Sequence, residues 1–258
     1  MGHLRLKSLP KTRDWDAVVA KLQTGADVTD LAAATAQAAD DALESARADP
    51  GLGYTVWLLT QLPLAARSDQ FEGRLVELGF SAAAGRSLLT LTSEFTLALD
   101  KHIAGRANRT DLGEMARLAA VETLTAAIGP RLPTLFTDAS DVRLELSNLA
   151  TKAQFGALAR EFFARLTNRT LEYYLSREFP NHVGPGRSFA SLAEQAAFSS
   201  AMRRHCSEVS LIVEEFAGGW FSKSTFQRTL NPETAQGFAA YSLKKLRDEL
   251  RVRGGGDA

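Results

Sequence analysis

The chain has 258 residues, 45% of them hydrophobic and 23% charged, so it can bury a core and lacks the sparse, highly charged composition of a disordered protein. Thirty lysines and arginines against thirty aspartates and glutamates leave no formal net charge, which removes the simplest case for a dedicated nucleic-acid or acidic-membrane binder. A single cysteine, Cys206, excludes an internal disulfide and any cysteine-rich zinc or iron–sulfur site.

The stretch from Met1 to Lys7 is basic but has no apolar run behind it, so no signal peptide is expected. No window approaches the ~18 uninterrupted apolar residues of a membrane span. A reducing, cytoplasmic setting fits the lone cysteine. The excess of arginine over lysine, 22 to 8, with abundant alanine, suggests GC-rich bacterial coding.

Apolar residues return every three or four positions along the chain, and two-residue alternation is almost absent, which predicts an all-α fold. The spacing gives an irregular bundle of about 8–10 helices, with long antiparallel helices in the C-terminal half. The first helix follows Pro10, carries Trp15, Val18, Val19 and Leu22 on one face, and stops at Gly25. Asp27 or Thr29 caps an Ala-rich helix reaching Arg47, before the Asp49-Pro50-Gly51 break. Tyr54, Trp57, Leu58, Gln61 and Leu62 mark a third helix that Pro63 should kink or end. A short helix with Phe71, Leu75 and Leu78 closes at Gly79, and Leu88, Leu91, Phe95 and Leu99 line the next.

Asp111 with Glu114 has capping-box spacing, opening a helix that Gly129-Pro130 ends. Residues 141–149 form a short amphipathic piece. A second capping box, Thr151 with Gln154, opens the longest helix, which is expected to run to Phe179. The Pro- and Gly-rich segment 180–188 reads as a loop. Ser191 with Glu194 then starts a helix whose stripe of Phe198, Met202, His205, Val209, Ile212 and Phe216 runs to Gly218-Gly219. Asn231 and Pro232 open the last helix, with Phe238, Leu243, Leu246 and Leu250. Two subdomains, 1–130 and 138–253, with a flexible tail at 254–258, stand as one organisation, and one continuous domain as the other.

No phosphate-cradling Gly-rich loop, dinucleotide fingerprint, His-Glu-x-x-His, Gly-x-Ser-x-Gly or acidic calcium loop occurs. Between the two best helices, His182 and Arg187 share a glycine-bearing loop suited to an anion: the glycines expose N–H groups, Arg187 offers a bidentate contact and His182 exchanges protons near neutral pH. The plainer reading is a turn. Trp220, Phe221, Lys223 and Phe226 concentrate aromatics around a cation after Gly218-Gly219, the composition of a loop that anchors a protein partner or plugs the end of the bundle. Arg160, Arg165, Arg169 and Arg177 recur every four to eight residues, and with Lys244, Lys245 and Arg247 of the last helix they make a second, nucleic-acid-binding reading. His205 with Glu208 has metal-ligand spacing, but no second histidine pattern accompanies it, so a satisfied core histidine is expected. Arg203 and Arg204 beside Cys206 are of a kind that lowers a thiol pKa, yet no base pairs with the thiol. Asn108-Arg109-Thr110 and Asn168-Arg169-Thr170 match the glycosylation acceptor pattern without a secretory context.

The composite expectation is a non-enzymatic helical interaction subunit or accessory factor of a multi-protein bacterial assembly, defence and toxin–antitoxin systems among the settings. The exposed face of 151–179 and the segment 218–226 would meet protein partners. Nucleic acid or a second copy of the chain is the other partner considered, no cofactor is expected, and a phosphate-substrate enzyme built on His182, Arg187 and Glu178 is the third reading.

Overall fold

The computed structural model describes residues 12–39, 48–105, 109–133 and 138–254. The fold is an all-α multi-helix bundle, with eleven α-helices among the described residues. In chain order they are α1 (Arg13–Thr24), α2 (Val28–Ala38), α3 (Pro50–Ala66), α4 (Phe71–Glu77), α5 (Leu88–Ala104), α6 (Asp111–Ile128), α7 (Ala139–Asn148), α8 (Lys152–Leu175), α9 (Leu192–Val209), α10 (Leu211–Phe226) and α11 (Pro232–Gly254). The Ala-rich stretch between Asp40 and Arg47, Asn108 of the first acceptor pattern and the tail from Gly255 lie outside the described residues.

Local chemistry sets most helix ends. Gly25 adopts φ 71°, a left-handed stop that a side chain resists, and its N–H reaches back to the Leu22 carbonyl. The Asp27 carboxylate, not Thr29, accepts the Asp30 N–H at 2.9 Å and starts α2. Asn231 Oδ1 accepts the Thr234 N–H at 2.8 Å, with Pro232 as first residue of α11. Thr110, one residue before the predicted Asp111, caps α6 through the Gly113 N–H at 2.9 Å. Ser191 and Thr151 cap their helices, but the Glu194 carboxylate turns to the Ala190 N–H, so the reciprocal capping box belongs to Asp138 and Asp141. Pro63 occupies the last turn of α3, which closes three residues later at Ala66.

The C-terminal half corrects the sequence expectation most. The helix expected to run from Ser191 to Gly218-Gly219 breaks at the buried Ser210, where φ −73° and ψ −3° turn the chain from α9 into α10. Gly218 and Gly219 then lie inside α10 instead of ending a helix. The reason is a neighbour distant in sequence: a Cβ on Gly218 would sit 2.2 Å from the Lys152 carbonyl oxygen, and one on Gly156 would sit 3.2 Å from that of Glu214. Glycine at both positions lets α8 and α10 approach backbone to backbone.

With its 24 residues, α8 spans about 36 Å and lies among α2, α6, α9 and α10. Antiparallel α10 crosses it with the Phe155 and Phe221 rings stacked at 4.0 Å. In turn α11 runs antiparallel to α10, with Trp220 stacked on Phe238 at 4.1 Å, and it packs chiefly on α2 and α3, touching α9 as well. The start of α3 meets the start of α6 through one buried carboxylate. Asp49 Oδ1 accepts the Leu52 N–H at 2.8 Å, its Oδ2 accepts the Thr110 hydroxyl, and Gly51 and Gly113 pass so closely that a Cβ on Gly51 would lie 2.9 Å from the Gly113 Cα. A single buried apolar cluster extends from Trp15 to Leu250, with Phe95, Phe162, Phe163 and Phe221 among its largest fully buried members.

Candidate functional site: charged clefts along the longest helix

Positions 161, 165, 169, 172 and 176 follow the three-and-four spacing of one helix face, and on α8 they carry Glu161, Arg165, Arg169, Glu172 and Ser176, none of them buried. Two adjoining clefts lie along this stripe. The smaller, about 380 Å³, is bounded by Glu122 of α6, by Arg165, Asn168 and Arg169 of α8, and by Arg203, Arg204 and Ser207 of α9. The larger, about 730 Å³, reaches Asp100 of α5, Arg109, the first two turns of α6, and Tyr173 and Arg177 of α8. Arg169 and Glu172 line both.

Opposite charges interleave across these clefts. Arg169 pairs with Glu122, and Arg165 reaches Glu161 at 3.3 Å and Glu122 at 4.0 Å. Arg109 meets Asp100 at 3.2 Å, and Arg117 is held by Glu114, whose hydrogen bond raises the guanidinium pKa. In the larger cleft the Tyr173 hydroxyl donates to Asp111, and the Arg177 guanidinium lies 4.2 Å from the Tyr173 ring centroid. Partial burial, then the carboxylate of Asp111, raises the Tyr173 pKa, so its hydroxyl stays a donor. The smaller cleft holds a different feature. Asn168 is 7% exposed and its Oδ1 has no hydrogen-bond partner.

The residues singled out from sequence are partly gathered here. Arg165 and Arg169 share the smaller cleft and Arg177 the larger, but Arg160 faces another way, to the Ser207 carbonyl and to Glu214 at 3.2 Å. These guanidiniums are thus answered by carboxylates, a carbonyl or an aromatic ring inside the chain. On α11, Lys244 is exposed, Lys245 lies 5.7 Å from the Tyr241 ring centroid, and Arg247 stands 3.6 Å from Asp248.

The segment 218–226 is helix and not the predicted loop, and its side chains diverge. Phe221 is buried against Phe155, Trp220 packs half-buried on Phe238, Lys223 is exposed and Phe226 is 89% exposed. The 180–188 loop brings His182 and Arg187 to one shallow cleft with Gly25, where Arg187 donates to the Asn181 carbonyl and the buried His182 accepts the Phe189 N–H at its own carbonyl, 2.9 Å away. Glu178 receives the Asn181 amide at 3.2 Å.

His205 holds the expected core position, yet its Nε2 lacks the expected hydrogen-bond partner; burial first, then the charge of Arg253, lowers its pKa. Arg203 and Arg204 do not activate Cys206, since burial pushes the thiol up to about 12 while both arginines are exposed. Among the described residues no group of three or more His, Cys, Asp and Glu is placed to hold a metal ion, and no helix is long and apolar enough to cross a membrane.

Sequence reading found the arginines of α8 but missed Asn168, Glu122, Glu172, Tyr173 and Ser207. The i, i+4 and i, i+3 steps from Glu161 to Ser176 carry a legible signal; the facing residues of α6 and α9 carry none. Comparison with protein-family models, curated proteins and solved structures finds no match for this chain.

Proposed function

We propose that this chain is a non-enzymatic helical interaction subunit of a multi-protein bacterial assembly, and that a partner protein docks on the polar face of α8 at the larger cleft. The observation that carries this reading is the Tyr173–Arg177 pair: an arginine stacked on a tyrosine whose hydroxyl is tied to Asp111, in a cleft of about 730 Å³. Tyr and Arg are the residue types that most often dominate protein interfaces, and a pair already ordered loses less side-chain freedom on docking. The chemical candidates support the same reading by their placement: Cys206 is buried with its thiol pushed up to about 12, and His205 lies buried on the inner side of α9.

The test is affinity capture from the native host with the wild-type chain and with a Tyr173→Ala, Arg177→Ala double variant. Helical circular dichroism confirms that the variant folds. A partner recovered by the wild type and lost by the variant is the expected result, and identical recovery overturns the proposal. Light scattering of the purified chain separates a second copy from a different partner.

A further inference from the structure

The loop between α8 and α9 is pinned by its own backbone and by α1. Phe189 donates its N–H to the His182 carbonyl at 2.9 Å and accepts the Gly184 N–H at 2.8 Å, while the Ser188 hydroxyl donates to the Leu22 carbonyl. Beside these ties lies a cleft of about 510 Å³, a size within the range of small-molecule sites, bordered by Gln23, Gly25, His182, Gly186 and Arg187 among others. His182 is 7% exposed, yet its ring makes no hydrogen bond, ion pair or ring contact among the described residues. Neither ring nitrogen is sealed from solvent. An imidazole carries at least one N–H in any protonation state, and one this deeply packed ordinarily gives it to a protein group; here it is left for a ligand.

The groups around that ring are donors. Arg187 gives Nη1 to the Asn181 carbonyl, which fixes the guanidinium and leaves its Nε–Nη2 edge, the fork that meets two oxygens side by side, unpaired among the described residues. Gly186 has φ 71° and nothing within 4 Å of a Cβ position, so its N–H, which makes no hydrogen bond among the described residues, is uncovered. No carboxylate borders the cleft, and Glu178 is occupied with the Asn181 amide at 3.2 Å. The C-terminal carbonyls of α1 would repel an anion, but the Leu22 carbonyl accepts the Gly25 N–H and the Ser188 hydroxyl, and the Lys21 carbonyl accepts the Ala26 N–H and the Thr24 hydroxyl.

We propose that this cleft binds a phosphate group, free or as a small phosphomonoester, through the Nε–Nη2 edge of Arg187, the His182 imidazole N–H and the Gly186 N–H. A carboxylate has two oxygens, which the guanidinium edge alone takes up; a phosphate has oxygens left for the imidazole and the main chain. The site shares no residue with the larger cleft on α8 and does not rest on the reading given to it.

The experiment uses the full chain and inorganic phosphate, read by NMR of the histidine ring signals, with His182→Gln identifying the His182 resonance. At constant pH and ionic strength that resonance is expected to shift saturably with a Kd below about 10 mM. Titration calorimetry gives the same Kd without the assignment, should His182→Gln fail to fold. Arg187→Gln changes an exposed side chain, so it is expected to keep the unliganded unfolding midpoint and to bind about tenfold or more weakly. Glycerol 3-phosphate separates the sources: binding at least as tight as that of inorganic phosphate admits an ester, and weaker binding restricts the site to the free anion. The proposal is overturned if the His182 signal shows no saturable shift, if acetate binds as tightly as phosphate, or if Arg187→Gln leaves the Kd unchanged.

Discussion

Adjacent glycines in α10 separate two uses of one residue type. The missing side chain of Gly218 makes room for the Lys152 backbone, whereas nothing lies within 4 Å of a Cβ on Gly219. Gly218→Ala is therefore expected to cost about 1–3 kcal/mol through overpacking, while Gly219→Ala, relieved of glycine's unfolded-state freedom, should stabilise by roughly 0.5–1 kcal/mol. Urea unfolding of the two variants checks this, and equal effects would show that the backbones do not meet there. In the sequence both glycines looked like punctuation, because the carbonyl that distinguishes them belongs to a helix some 60 residues earlier. His205 gives a pH expectation. Burial and Arg253 hold its pKa below the ordinary 6.5, so in acid the unfolded chain takes up a proton that the folded chain excludes. The contribution of a neutral His205 is fully present above 6.5 and is lost as pH falls from there through the folded pKa. His205→Leu should shrink the difference between urea midpoints measured at about pH 7.5 and about pH 5.5; an unchanged difference would place the titration elsewhere.

Helix ends built on local hydrogen bonds were legible: Gly25, Asp27, Ser191 and Asn231 act within one turn of their own positions. The joint at Ser210 was not, because serine is neither a strong breaker nor a strong former, and the bend is imposed by α10 folding back on α8. Asp49 is the case in between. With Pro50 and Gly51 it reads in the sequence only as a break; its carboxylate caps α3, and its second oxygen receives Thr110, the cap of α6. Asp49→Ala should therefore cost more than an isolated cap does, about 2–3 kcal/mol from the lost cap and a stranded hydroxyl together. Asp49→Asn, which keeps an oxygen for the Leu52 N–H, should recover about half. Thermal unfolding of the pair tests the double duty, and a loss no larger than that of a single surface cap would refute it. The candidate site divides the same way: the stripe on α8 follows from helical spacing, whereas Asn168 gains meaning only once α6 and α9 close over it.

Across the whole molecule, the last described helix closes on two early ones, α2 and α3. Ala235, Phe238, Leu243, Leu246 and Leu250 of α11 are buried, and α11 packs chiefly on α2 and α3 besides α10. A chain ending at Leu230 is expected to lose cooperative unfolding and become protease-sensitive in α2 and α3, checked by limited proteolysis and heat capacity. Retention of a sharp transition would instead mean that the earlier helices hold a core by themselves. The all-α class was readable from periodicity alone, but this closure was not, since no repeat or motif announces which helix covers which. It bears on how the protein is made. A ribosome delivers α2 about two hundred codons before the helix that shields it, so during synthesis the apolar face of α2 stays open until α11 has emerged to cover it.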